Sequence, residues 1–151
     1  NQYNATGRYA VDDDTALVVT TRPSASRYQG FQIGTEWFEA LDFVNQTTSL
    51  NTTQARLSSD GVYRFVIATR DPGVTNWLDA SSAPQGQILL RWQGVSEDLG
   101  PEHEPTIELV SFDEIRSRFP DDEPVFDAAD RRAQIAERQR AIERRYGLSR
   151  R

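Results

Sequence analysis

The side chains best suited to chemistry gather in one stretch, DPGVTNWLDASSAPQG at positions 71–86, which carries Asp71, Asn76, Trp77 and Asp79. It lies between two strand-like runs and is longer than most connections in a compact domain. Loops of that length are usually functional or packed by their own side chains. Read as a ligand-facing lip, the stretch offers the Trp77 ring as a stacking platform, with Asn76 and Asp79 as hydrogen-bonding groups. Read as a plug, Asp71-Pro72-Gly73 makes a turn, Trp77 caps the core and Asp79 ties down backbone amides. The plug is the simpler reading, because a large aromatic among turn residues generally packs. Arg91 stands apart, mid-strand beside Trp92 but on the opposite face. It lies in solvent or, if that face lines a cavity, anchors an anionic ligand.

Other constellations carry less. Glu36 and Glu39 flank Trp37-Phe38, and Asp71 and Asp79 share the long loop, so paired carboxylates of the glycosidase kind are conceivable. Only a pair with perturbed titration in a cleft would count, and spacing alone does not bring one about. His103, the only histidine, sits in GPEHEP and reads as a solvated loop residue, since a structural zinc site wants four N or S ligands. Asp12-Asp13-Asp14 lacks the spacing of a calcium loop and reads as a polar turn. There is no G-x-S-x-G, no G-x-G-x-x-G and no phosphate-loop pattern. No catalytic residue, metal ligand or cofactor is assigned, and the chain reads as a binding domain before an enzyme.

The elements that must position these residues follow from size and pattern. A length of 151 residues predicts one domain with a core large enough to need no disulfide or metal, and cysteine is absent in any case. A net charge of -6 argues against a nucleic-acid partner, which needs a basic face. Residues 96–126 are acidic and the tail after Asp130 is arginine-rich, so the expectation is a basic helix lying against an acidic surface. Lysine and methionine are absent; arginine in place of lysine is what a GC-rich genome produces. The start at Asn1 suggests a processed or truncated chain with part of the domain upstream. No apolar run reaches membrane-spanning length and no secretory core is visible, which slightly favours the cytoplasm. Three Asn-x-Ser/Thr triplets, at Asn4, Asn45 and Asn51, carry little weight.

Residues 1–95 read as β. Strands are predicted at ALVVTT, at YQGFQIG with TEWF following, and at QILLRWQ, where Ile88, Leu90 and Trp92 share a face. The stretch 54–69 predicts a hairpin turning at Asp60-Gly61. Residues 96–126 form an acidic connector with a strand and a short helix, in which Ser111 and Glu114 have capping-box spacing and Pro120 stops the run. Residues 127–151 predict a helix capped by Asp127 and ended by Gly147, with a thin stripe of Ile135, Ile142 and Tyr146.

SLN at positions 49–51, the Asp60-Gly61 turn with its alternating strand, DPG followed by NWLD, and the closing Gly86…Arg91-Trp92 together resemble the bacterial domain of unknown function 1214. The FDEIRSRFP run and the arginine-rich tail are similar to the C-terminal ends of actinobacterial members. The resemblance implies a jelly-roll-like antiparallel β-sandwich with short C-terminal helices, found at the end of a longer polypeptide or beside a related 1254 domain. It implies no reaction. The matching positions of any family site would be Asn51, Asp71, Asn76, Trp77, Asp79 and Arg91. The expectation is thus a non-catalytic ligand-binding or accessory module for a small or carbohydrate-like molecule, or for a partner chain. Two alternatives stand beside it: a carboxylate-dependent hydrolase or lyase, and a purely structural module that forms a homo-oligomer or meets an upstream domain through its C-terminal helix.

Overall fold

The computed structural model describes residues 1–147. Eight strands form two four-stranded sheets. The first sheet has the order β1 (Gln2–Ala10), β7 (Gln85–Gln93), β3 (Tyr28–Gly34), β4 (Ser49–Asn51), and the second β6 (Trp77–Asp79), β5 (Tyr63–Ala68), β2 (Thr15–Thr21), β8 (Thr106–Ser111). Among the described residues one α-helix, α1 (Ala128–Tyr146), follows. No helix among the described residues is long and apolar enough to cross a membrane.

The period-2 pattern of each strand decides what the sheets bury. In β7 Ile88, Leu90 and Trp92 enter the core, while Gln87, Leu89 and Arg91 occupy the outer face of the first sheet. That core lies between the sheets and is filled by Leu17, Val19, Phe31, Ile33, Phe65 and Ile67; the Phe31 and Phe65 rings stack 3.7 Å apart. β5 does not alternate between buried and exposed, because the second sheet is covered on both faces. Behind it a second core packs Val18, Val66, Val74, Trp77, Ile115 and Phe119. A sheet buried on both sides reads as a near-continuous apolar run, as FVIA does after Arg64 in β5.

The mainly-β sandwich with a C-terminal helix is as expected, and four details differ. β5 and β6 run parallel, so the sandwich is not wholly antiparallel; the sheet orders describe two packed sheets, and a jelly-roll description goes beyond them. The segment 54–57 is not a hairpin arm. The amides of Gln54 and Ala55 bond back to Asn51 O, which curls the chain, and β5 finds its partners in β2 and β6. Asp60-Gly61 still turns, with Gly61 at φ 76°. The run Phe112–Arg118 is a 3-10 helix in which Ser111 makes no side-chain cap bond. The capping box belongs to α1 instead: Asp127 accepts from the amides of Ala129 and Asp130, and Asp130 accepts from that of Asp127. The two backbone bonds that the Asp127 carboxylate accepts, from Asp130 and Ala129, lower its pKa.

α1 ends at Gly147 in the left-handed conformation expected of it. Tyr146 is exposed, and the helix docks through polar contacts to Asp71, Val74 and Ser49, touching the 96–126 segment at the Phe126 ring. Arg131 is buried. It meets both carboxylate oxygens of Asp71, at 2.9 and 3.1 Å, donates to Val74 O, and lies over the Trp77 and Phe126 rings. Gln134 reaches Thr47, and Arg138 donates to Ser49 O.

Candidate functional site

The sequence-predicted residues do not converge. Trp77 is 8% exposed and its indole donates to Ala68 O at 3.0 Å, so its ring caps the second core. Asn76 is buried, accepts from the Arg56 amide at 2.7 Å, and donates to Arg56 O and Arg64 O. Asp79, also buried, accepts from the Ser81 amide at 2.9 Å. Asp71 accepts from the Gly73 amide and pairs with Arg131. Each therefore has a structural bond, as the plug reading describes. Arg91 lies in the other sheet, on its outer face, and donates to Asn4 at 3.3 Å. Asn51 accepts from the amides of Thr53 and Gln54 and holds the turn after β4. In the register of the first sheet Asn4, Arg91, Gly30 and Asn51 stand side by side across the strands, so Arg91 and Asn51 share a face that Trp77 does not.

A different group of residues does gather around a cleft. It measures about 260 Å³ and is lined by Tyr3 and Ala5 of β1, Trp92 of β7, and Leu99, His103 and Pro105 of the connector before β8. Three features make it chemically distinct. Trp92 is 3% exposed, and its indole N–H is buried with no hydrogen-bond partner. Among buried polar groups that is uncommon, because an unpaired donor costs about 1–3 kcal/mol. The second feature is His103. Its Nε2 lies 3.1 Å from Pro23 O, which can only accept, so Nε2 carries a proton. Its Nδ1 is buried without a hydrogen bond, and the Glu102 carboxylate is 3.2 Å away, within ion-pair range. The third is Tyr3, whose phenol donates to Asp98 at 2.6 Å; this bond to a carboxylate raises the phenol pKa.

Neither Trp92 nor His103 stood out in the sequence as a site residue. Trp92 has the alternation of a core position, and His103 sits in a Pro- and Glu-rich loop. The cleft is assembled from three segments far apart in the chain, so no local spacing announces it. A larger depression of about 370 Å³ lies between α1 and the turn after β4, but its Gln54, Gln134, Glu137 and Arg138 side chains already have partners.

A third arrangement is exposed rather than concave. Trp37 is 83% exposed, and its neighbour Phe38 is the one non-glycine described residue at positive φ, 63°. The turn is held by the Thr35 hydroxyl, which accepts from the Trp37 and Glu39 amides.

No protein-family model matches the chain, and no curated protein does. Among solved structures, the chain is similar to a putative uncharacterized protein from Burkholderia cenocepacia, at 27% identity over 76% of this chain and 31% of that one, with a TM-score of 0.68. It is also similar in fold to a protein from Vibrio parahaemolyticus, at 16% identity over 71% of this chain and 30% of that one, with a TM-score of 0.52. The chain thus spans about a third of the length of the proteins it matches.

Proposed function

We propose that this chain is a non-catalytic binding module whose ligand seat is the cleft between β1 and the His103 segment. The unpartnered, buried Trp92 indole N–H carries the reading. A donor in that position is completed by water or by a ligand acceptor, and a ligand hydroxyl or carboxylate that displaces the water keeps the bond. Trp92 and His103, which carry the unbonded indole N–H and Nδ1, line the cleft, and Ala5, Leu99 and Pro105 give it apolar walls. A few placed polar groups in an apolar cleft are the usual make-up of a small-molecule site, and this one is at the small end of the size range. The ligand class it fits is a small polar molecule of carbohydrate-like or hydroxy-acid chemistry.

The resemblance to domain 1214 belongs to the same proposal. NWLD is read there as a fold-forming motif, since Asn76, Trp77 and Asp79 each tie backbone segments together.

A thermal-shift screen against monosaccharides, polyols and hydroxy acids tests the reading, run on the wild type and on Trp92→Phe and Trp77→Phe. Binding to the native state raises stability by linkage, about 2.7 kcal/mol at a hundred times Kd. The expected result is a stabilising ligand whose effect survives Trp77→Phe and disappears in Trp92→Phe, which keeps the ring and loses the N–H. A ligand effect indifferent to Trp92→Phe but abolished by Asp79→Asn or Arg91→Ala would move the site elsewhere.

A further inference from the structure

Two apolar side chains on the core-facing side of the second sheet are uncovered. Ile107 pairs with Val19 and Leu109 with Leu17. Directly opposed residues share a face of the sheet, and both partners belong to the core between the sheets. Yet Ile107 is 47% exposed and Leu109 62%. The topology gives the reason. β8 ends the second sheet and β1 ends the first, and a Cβ built on Gly7 of β1 would lie 3.8 Å from Ile107 Cδ1. Ile107 therefore stands over β1, and the first sheet stops one strand short of covering β8.

The free edge of β1 is built to take that strand. Asn1 O accepts from the Gly94 amide and the Val11 amide donates to Pro84 O, so the odd-numbered residues turn their backbone groups to β7. In an antiparallel ladder alternate residues point the other way, which leaves the N–H and C=O groups of Gln2, Asn4, Thr6, Arg8 and Ala10 on the open side. The register to β7 is continuous, with no bulge, and QYNATGRYA has no lysine, no proline and no acid. Arg8 is its one charge, and the other devices that ordinarily block edge pairing are missing here. The other edges differ: β4 and β6 are three residues long, and β8 carries Glu108 bonded to Arg118.

We infer that the β1 edge is a dimerisation surface for a second copy of this chain, pairing antiparallel about a two-fold axis at Thr6. In that register Thr6 meets Thr6, Asn4 meets Arg8 and Gln2 meets Ala10 of the other copy. Every one of these residues has its backbone groups free, and no like charges oppose. Ala5 faces Gly7 on the core side, where small residues leave room for Ile107 and Leu109 of both copies to close one seam. The first sheets become a continuous eight-stranded sheet, and the interface is isologous, as a two-fold demands. The inference does not rest on the ligand reading, but the second strand would run past Asn4 and Ala5, which also line the ligand cleft, so ligand and partner meet on one flank.

Sedimentation equilibrium across a range of concentrations tests it on the wild-type chain, Thr6→Pro and Leu109→Lys. Thr6→Pro removes an N–H that points away from β7, so the internal ladder is intact; Leu109→Lys changes a side chain already exposed in the single chain. The expected result is a wild-type mass of twice 17.1 kDa, falling to one chain in both variants with unchanged near-ultraviolet circular dichroism. If Thr6→Pro unfolds, Leu109→Lys alone decides. A wild type that stays monomeric at hundreds of micromolar overturns the inference, as does a dimer that Leu109→Lys leaves intact. In either case something other than a second β1, such as a strand from elsewhere in a longer polypeptide, covers the edge or nothing does.

Discussion

At the scale of single residues, the account rests on which polar groups are satisfied and which are not. Asn76 makes three side-chain bonds to backbone groups, and Trp77 makes one, to a carbonyl that also accepts from the Ala80 amide. Trp77→Phe should therefore cost only about 1 kcal/mol, against about 3–5 kcal/mol for Trp77→Ala, which opens a cavity behind the second sheet. Asn76→Asp, nearly isosteric, should cost more than Trp77→Phe because it sets a carboxylate against two carbonyl oxygens. Urea unfolding of the three variants checks the order. Tyr9 gives a separate test. Its phenol donates to Ala83 O, and burial pushes its pKa from 10.0 up to about 12. A raised folded pKa favours the neutral phenol, so the stability it contributes is complete below pH 10 and is lost as pH rises towards 12. Tyrosinate absorbance should show a late-titrating phenol in the folded protein, and Tyr9→Phe should remove it.

At the scale of elements, α1 depends on its arginines more than on its apolar stripe. Arg131 is held by a carboxylate and a backbone carbonyl while buried, and burial also lowers the pKa of Arg138. Removing one partner of a buried pair leaves the other uncompensated, so Arg131→Met should cost about 3 kcal/mol, the low end of the range because Asp71 is a third exposed. The loss should be local: hydrogen exchange should rise along α1 and residues 71–75 while the central strands stay protected. This docking was only partly legible in the sequence. Asp127 and Gly147 announce the ends of the helix by residue type, since a capping carboxylate and a left-handed glycine each answer a local need. What the helix meets is a tertiary choice. The acidic 96–126 segment is nearer in sequence, but the buried Arg131 goes to Asp71. In the same way β2, β5 and β7 show themselves by β-branched or alternating residues. QYNATGRYA pairs along its whole length with too few apolar side chains to signal it, and WLD is too short to carry a period.

At the scale of the whole molecule, the two sheets put the residues singled out by type into different places. Trp77, Asn76 and Asp79 serve the second sheet, Arg91 and Asn51 the outer face of the first, and the long 71–86 segment is a plug with a strand in it. Loop length and an aromatic residue are poor guides to a site here, because the same composition closes a core. The cleft beside β1 escaped notice for the opposite reason: Trp92 and His103 come together only when the connector crosses from one sheet to the other. A flank with an unpaired indole, an open strand edge and two uncovered apolar residues is where the molecule has most to gain from a partner.

The most direct test watches the indole N–H signals of Trp37, Trp77 and Trp92 in a proton–nitrogen correlation spectrum, assigned by single Trp→Phe variants. Monosaccharides, polyols and hydroxy acids are then titrated in turn. The account predicts a ligand that shifts the Trp92 signal saturably while the Trp77 signal stays fixed. A saturable shift of Trp77 or Trp37 with Trp92 unmoved would contradict it and return the site to the long loop or to the exposed turn.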